Sequence, residues 1–229
     1  VQLRFALTER LALIATKDGY VWLRPNDEIP GAVTHDDGFA NLAFGAKYAI
    51  VYDVEDQRIA TLGLRYEVPS GDAQVLQGKV FRIDGVDDRG KGVLNPFLST
   101  GFGFGDFHFL SYTGVRAALD DVDSSFFDMS LHGDYQVGNL FPLLEVNWVQ
   151  TISDGERLPL GGEGFDLLNL GTTNGAGKGV VTAAVGARYR VAQFEAIEID
   201  LGTAVEFPLT DREDLFGFRL SSDFIVRLR

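Results

Sequence analysis

Residues 126–137 read Phe126-Phe127-Asp128-Met129-Ser130-Leu131-His132-Gly133-Asp134-Tyr135-Gln136-Val137. Phe127, Met129, Leu131, Tyr135 and Val137 share one parity; Asp128, Ser130, His132, Asp134 and Gln136 share the other. A period of two is the mark of a β-strand, whose successive side chains point to opposite faces. The stretch also matches the ~9–11 residues that a tilted strand needs to cross a bilayer.

Working outward, the same pattern recurs. In 39–52, Leu42, Phe44, Ala46, Tyr48, Ile50 and Tyr52 oppose Asn41, Ala43, Gly45 and Lys47. In 57–68, Ala60, Leu62, Leu64, Tyr66 and Val68 oppose Thr61, Gly63, Arg65 and Glu67. In 140–151, Leu144, Val146 and Trp148 oppose Glu145, Asn147 and Thr151. The last three segments carry Val181 to Tyr189, Ile197 to Phe207 and Phe216 to Leu228 on their apolar parity. Their polar parity holds Arg188, Arg190, Glu198, Asp200, Glu206, Arg219, Asp223 and Arg227. Weaker strands are expected at 1–7, 11–23, 94–104 and 107–118, the second ambiguous in its facing and the last apolar on both sides. The total is about eleven strands, with no competing amphipathic helix.

The links alternate in length. Short ones fall at Thr8-Glu9-Arg10, Asp53 to Asp56, Gly105-Asp106, Gly138-Asn139 and Val191 to Gln193. Longer ones fall at 25–37, 69–92 and 153–178, with shorter acidic ones at 120–124 and 210–214. Short turns on one rim and longer loops on the other are the habit of outer-membrane barrels. The pattern therefore predicts a single all-β domain over 1–229, an antiparallel up-and-down transmembrane β-barrel of about 12 strands in the bacterial outer membrane. Because single-chain barrels of this class have an even strand number, one strand is expected before Val1. A final outward residue is likewise expected after Arg229.

Composition bounds the alternatives. The chain has 229 residues, 45 % hydrophobic and 23 % charged, with Gly 27 and Phe 18, values that suit short strands and tight turns. No apolar run approaches the ~20 residues of a membrane-spanning helix. The mean hydropathy is close to zero, as expected where lipid-facing and lumen-facing residues average out. The absence of cysteine excludes disulfides and thiolate metal sites. A net charge of −13 argues against a nucleic-acid partner. Val1-Gln2-Leu3-Arg4-Phe5 reads as a strand rather than as a signal peptide, which is neutral, since a barrel exported to the outer membrane is expected to have lost its signal.

On the apolar parity, Tyr48, Tyr52, Tyr66, Tyr135, Trp148, Tyr189 and Phe207 lie near strand ends and read as aromatic girdles at the lipid headgroups. The alternative is aromatic packing inside a soluble β-sandwich. The polar parity carries Lys47, Arg65, Glu67, Arg116, Asp134, Glu145, Arg188, Glu198, Asp200, Glu206, Arg219 and Asp223. Mixed signs across a narrow lumen are expected to pair. They would form either a selectivity constriction or a salt-bridged plug, and about twelve strands do not decide between these.

Other motifs carry less. Gly177-Lys178 fails as a phosphate loop, since Thr172 stands at the leading glycine and Gly179 at the Ser/Thr. Gly101, Gly103 and Gly105 alternate with Phe102 and Phe104 in strand fashion, without the helix a dinucleotide fingerprint needs. Ser130, His132 and Asp134 share a strand face, but residues two apart are expected to sit side by side rather than converge as a triad. His35 and His108 carry less still, so no enzyme is expected. Asp84-Gly85-Val86-Asp87-Asp88 and Asp120-Asp121-Val122-Asp123 lack an EF-hand spacing and read as solvated loops. In 161–179, Gly161-Gly162-Glu163-Gly164 and Leu167-Leu168-Asn169-Leu170 suggest a segment that folds over the lumen or docks a partner.

Leu62-Gly63-Leu64-Arg65-Tyr66-Glu67-Val68-Pro69-Ser70-Gly71-Asp72, and Glu206-Phe207-Pro208-Leu209 through Leu228, resemble outer-membrane transport barrels associated with the meta-pathway of phenol degradation. The likeness is a style of strand, apolar-Arg-Tyr-acidic-apolar-Pro leading into a Gly-Asp loop, over about two-thirds of the chain. It implies passage of small molecules, aromatic ones included, and brings no catalytic residue or cofactor. The expected function is a narrow channel for small solutes, with Arg65, Arg116, Arg188 and Arg219 opposing Glu145, Glu198 and Asp223. The alternative is a structural barrel that scaffolds an outer-membrane complex, docking partners through 69–92 and 153–178.

Overall fold

The computed structural model describes residues 2–17, 20–23, 36–39, 41–70, 90–157, 161–164, 169–210 and 217–228. In these the chain is all-β. Eleven strands form one antiparallel sheet in chain order: β1 (Gln2–Ala6), β2 (Leu11–Lys17), β5 (Leu42–Asp53), β6 (Arg58–Val68), β7 (Val93–Phe104), β8 (Phe107–Ala118), β9 (Ser125–Tyr135), β10 (Leu140–Ser153), β11 (Gly179–Gln193), β12 (Ile197–Pro208) and β13 (Arg219–Leu228). A separate hairpin of β3 (Tyr20–Leu23) and β4 (Asp36–Phe39) stands between β2 and β5 in the chain. The expected strand 11–23 is thus two strands, β2 and β3, belonging to different sheets.

Every neighbouring pair in the large sheet is antiparallel, as an up-and-down meander requires. Turns are tight at one end of the strands. Gly105 and Gly138 each take the first of two turn positions with φ of 59° and 60°, the left-handed conformation that lets a two-residue hairpin follow the sheet twist. Longer connections run between strands at the opposite end.

Registered partners share a face, so the pairing fixes each side chain's direction. Thr61, Ser99, Tyr112, Ser130, Asn147, Thr182 and Glu206 fall on one face, in line with Lys47, Arg65, Arg116, Glu145 and Arg188. The other face is apolar and open: Phe44, Leu62, Leu64, Phe109, Leu144, Val185, Leu201 and Phe224 follow one another across the sheet. Leu62, Leu144 and Phe224 are 51%, 54% and 65% exposed.

The polar face is concave. A cavity of about 440 Å³ is lined by Gln2 and Arg4 of β1 and by Ser130 and His132 of β9. Six strand spacings separate these two strands, roughly 29 Å in a flat sheet. A second cavity of about 200 Å³ brings His108 of β8 to Arg227 of β13 across five spacings. Both contain His132, so the sheet curls around a shared interior. Its small apolar core, Phe126, Val149 and Val180, lies on this inner face towards the long-connection end.

The ambiguous strands now have directions. In β2, Ala12, Ile14 and Thr16 share the inner face with Lys47, Gly45 and Ala43, leaving Leu11, Leu13 and Ala15 outside. In β8, Leu110, Tyr112 and Arg116 point inward beside His132, Ser130 and Phe126. A bulge also changes one expectation. The extra residue Ile50 shifts the β5–β6 register between Ala49 and Val51, so Tyr52 pairs with Ile59, which lines the inner cavity. Tyr52 therefore sits on the concave side rather than with the outer aromatics.

Candidate functional site

All twelve charged residues read from the sequence lie on the concave face, and their arrangement divides it. From β9 to β13 the signs meet. Arg188 Nη2 lies 2.7 Å from Asp223. Arg190 lies 3.2 Å from Glu198 and 3.4 Å from Asp200, and Arg227 reaches the same two carboxylates, Asp200 at 2.5 Å. Arg219 donates through Nε to Glu206 at 2.8 Å, and Glu206 also accepts from Thr182 and Asn147. Glu198, Asp200 and Glu206 are buried, so these pairs supply the countercharge that burial demands.

At the β8–β9 seam, Arg116 forks onto Asp128 with bonds of 2.8 and 2.9 Å, its guanidinium centre 4.6 Å from the ring of the buried Phe126. Asp128 is a partner that the opposed-charge expectation for Arg116 did not include. Nearby, His132 Nδ1 lies 2.6 Å from Glu145 and its Nε2 3.0 Å from Asp134, whose other oxygen is 2.8 Å from His108 Nδ1. His132 and Asp134 thus touch although they are two residues apart. Both ring nitrogens are occupied by carboxylates rather than by Ser130.

From β1 to β7 the picture differs. Arg65 is held by neutral groups: Asn95 Oδ1 accepts from Nε at 3.1 Å and from Nη2 at 2.5 Å, and Tyr112 Oη accepts at 3.2 Å. Asn95 is fixed in turn by its bond to Val115 O at 2.9 Å. The carboxylate expected opposite Arg65 is not there among the described residues. Lys47 shares its cavity with Arg4, another cation. Glu67 is engaged by Asn41 at 2.9 Å. Arg4, Asn95 and Tyr112 escaped the sequence reading because β1, β7 and β8 alternate weakly; the Gln2-Leu3-Arg4-Phe5 parity was the signal for Arg4.

The outer aromatics spread over both ends of the strands. Tyr135 and Tyr189 lie towards the tight turns, Tyr66, Trp148 and Phe207 towards the longer connections, and Tyr48 between them. Tyr66 donates to Lys91 O at 2.8 Å, and Trp148 meets Phe127 edge to face at 5.2 Å.

A buried polar cluster sits at the long-connection end. Glu163 accepts from Leu170 N at 2.8 Å, Thr172 N at 2.6 Å and Ser124 Oγ. Asn169 bonds both backbone groups of Ser124, N at 3.0 Å and O at 2.8 Å. Asp123 and Arg157 approach to 2.5 Å, off the hydrogen-bond axis, so their contact is one of charge rather than an aligned bond. Burial pushes the Asp123 carboxyl up to about 6, against the opposing pull of Arg157. Within the acidic run 120–123, Asp123 is thus buried against Arg157 rather than solvated, while Asp121 stays exposed. Asp84 to Asp88, His35, Leu167 and Leu168, and most of 69–92, lie outside the described residues. Among the described residues no group of His, Asp and Glu is arranged to hold a metal ion. No protein-family model matches the chain, and no curated protein matches it.

Proposed function

We propose that the curled sheet is the wall of a closed outer-membrane β-barrel and that its concave face forms a narrow passage for small polar solutes. One observation carries the reading: the polarity of the sheet is inverted. A water-soluble protein buries its apolar face; here the apolar face is open on the convex side while arginines, histidines and carboxylates line the interior. An exposed apolar surface of this extent needs a partner, and hydrocarbon is the partner that a girdled all-β surface fits. The resemblance to transport barrels of the meta-pathway type agrees with small solutes.

The test is protein extracted from outer membranes in mild detergent, run boiled and unboiled on a gel, then placed in planar bilayers. A compact band that shifts on boiling, followed by discrete conductance steps, is expected. A freely soluble protein with no shift would overturn the barrel. A shift without conductance would retire the passage in favour of a second reading, a structural barrel in a larger complex. That reading is favoured by the braced cluster at the long-connection end, which gives a rigid platform for docking.

A further inference from the structure

We propose that the larger concave cavity is a binding site for a small organic anion, specifically a monocarboxylate with an apolar body. The proposal rests on the reading of this face as a lumen and names what that lumen recognises.

Three cations, Arg4, Lys47 and Arg65, line the cavity, and no carboxylate among the described residues does. This runs against composition, since the chain has 33 acidic and only 20 basic residues. Among the described residues none of the three forms an ion pair, although the neighbouring half of the same surface pairs its arginines throughout. Cations gathered on one wall with no counterion among the described residues repel one another, and an anionic ligand offsets that repulsion.

The site is also built to hold a shape. Arg65 is locked through Nε and Nη2 by Asn95 and Tyr112, while its Nη1 has no hydrogen-bond partner among the described residues. A guanidinium fixed on one side and open on the other can receive a carboxylate oxygen without further ordering. Phe97 lies beneath it, the guanidinium centre 5.4 Å from the ring, and packs against Tyr112 at 5.6 Å. That ring can lie flat only because residue 63 is glycine: a Cβ there would come within 2.1 Å of Phe97. Thr61 and Ser99 share one hydrogen bond of 2.6 Å, which leaves a hydroxyl proton for a ligand. Leu110 projects into the same space and is 48% exposed, an apolar wall for an apolar body. About 440 Å³ is within the range of small-molecule sites.

Equilibrium dialysis of the full chain folded in detergent tests this, with benzoate as probe and benzylammonium as its counterpart of opposite charge. Saturable benzoate binding, weak benzylammonium binding and a loss of about tenfold in Lys47→Gln and in Arg65→Gln are expected. Lys47→Gln removes no ion pair seen among the described residues and so guards against simple unfolding; Arg58→Gln, on the outer face, should bind as the parent does. No saturable benzoate uptake, equal uptake of the cation, or unchanged binding in both inner variants would overturn the site. Bilayer recordings separate this from the passage itself. Benzoate binding without current keeps the site and retires the passage; current without benzoate binding does the reverse.

Discussion

From β9 to β13 each arginine on the concave face touches a carboxylate, whereas from β1 to β6 Arg4, Lys47 and Arg65 touch none among the described residues. The two halves share one sheet, one polarity and one alternation. They differ in whether the charge is answered within the chain. Where it is answered, long side chains bridge β11 to β12, β12 to β13 and β11 to β13, and hold strand to strand in a face too polar to pack by apolar contact. Where no described residue answers it, the charge carries a cost that solvent or a ligand can offset. The paired half reads as wall and the unpaired half as site.

The comparison breaks most visibly by making the paired half resemble the other. Arg190→Ala removes one of the two arginines that the buried Glu198 and Asp200 share, the other being Arg227, together with the cation over the Phe141 ring. Removing one partner from a buried pair costs about 3–5 kcal/mol, and the surviving Arg227 contact places this case near 3 kcal/mol. The check is the urea midpoint at which the heat-shifted band is lost; an unchanged midpoint would deny the pairs their structural part. The reverse substitution, Lys47→Met, sharpens the contrast. It removes a cation that has no carboxylate partner in the described residues, so stability should stay level or rise by up to about 1 kcal/mol. A drop in the same midpoint as large as that of Arg190→Ala would erase the distinction between the halves.

Much of the fold was legible because inversion of polarity and a period of two are both written residue by residue. Asp128, Ser130, His132 and Asp134 on one parity of β9 announce a wet face by their chemistry alone. Facing failed where the inner residues are small or apolar, as at Ala12 and Ile14 in β2 and at Leu110 in β8, because such residues suit either side of the sheet. Bulges are local backbone events without a side-chain pattern, so the shift at Ile50 that turns Tyr52 inward could not be read. The signs of the inner charges were visible; their partners were not. Asp128 across from Arg116, and Asn95 where a carboxylate was expected for Arg65, depend on register between strands, which alternation alone leaves open. The brace formed by Asp123, Glu163 and Asn169 joins segments about 45 residues apart in sequence and leaves no periodic trace.

That brace offers the mildest test, and it bears on the same theme of answered charge. Asp123 has Arg157 beside it, yet burial outweighs the cation and raises its carboxyl from 3.8 to about 6. Between about pH 4 and pH 6 the folded chain therefore holds a proton that the unfolded chain has released. By linkage, this group's contribution to stability is greatest below pH 4, falls as pH rises through that window and is flat above it. Asp123→Asn removes the titration and should flatten that part of the profile, while the remaining carboxylates continue to titrate in both proteins. The measurement is limited proteolysis of the 154–178 connection at pH 4.5 and at pH 7 with an acid-tolerant and a neutral protease, each normalised to the unfolded chain. The parent's protection should decline from the lower pH to the higher more than the variant's does. Equal declines would mean that Arg157 answers Asp123 as fully as the arginines of β11 to β13 answer their carboxylates, and the cluster would then belong with the paired wall.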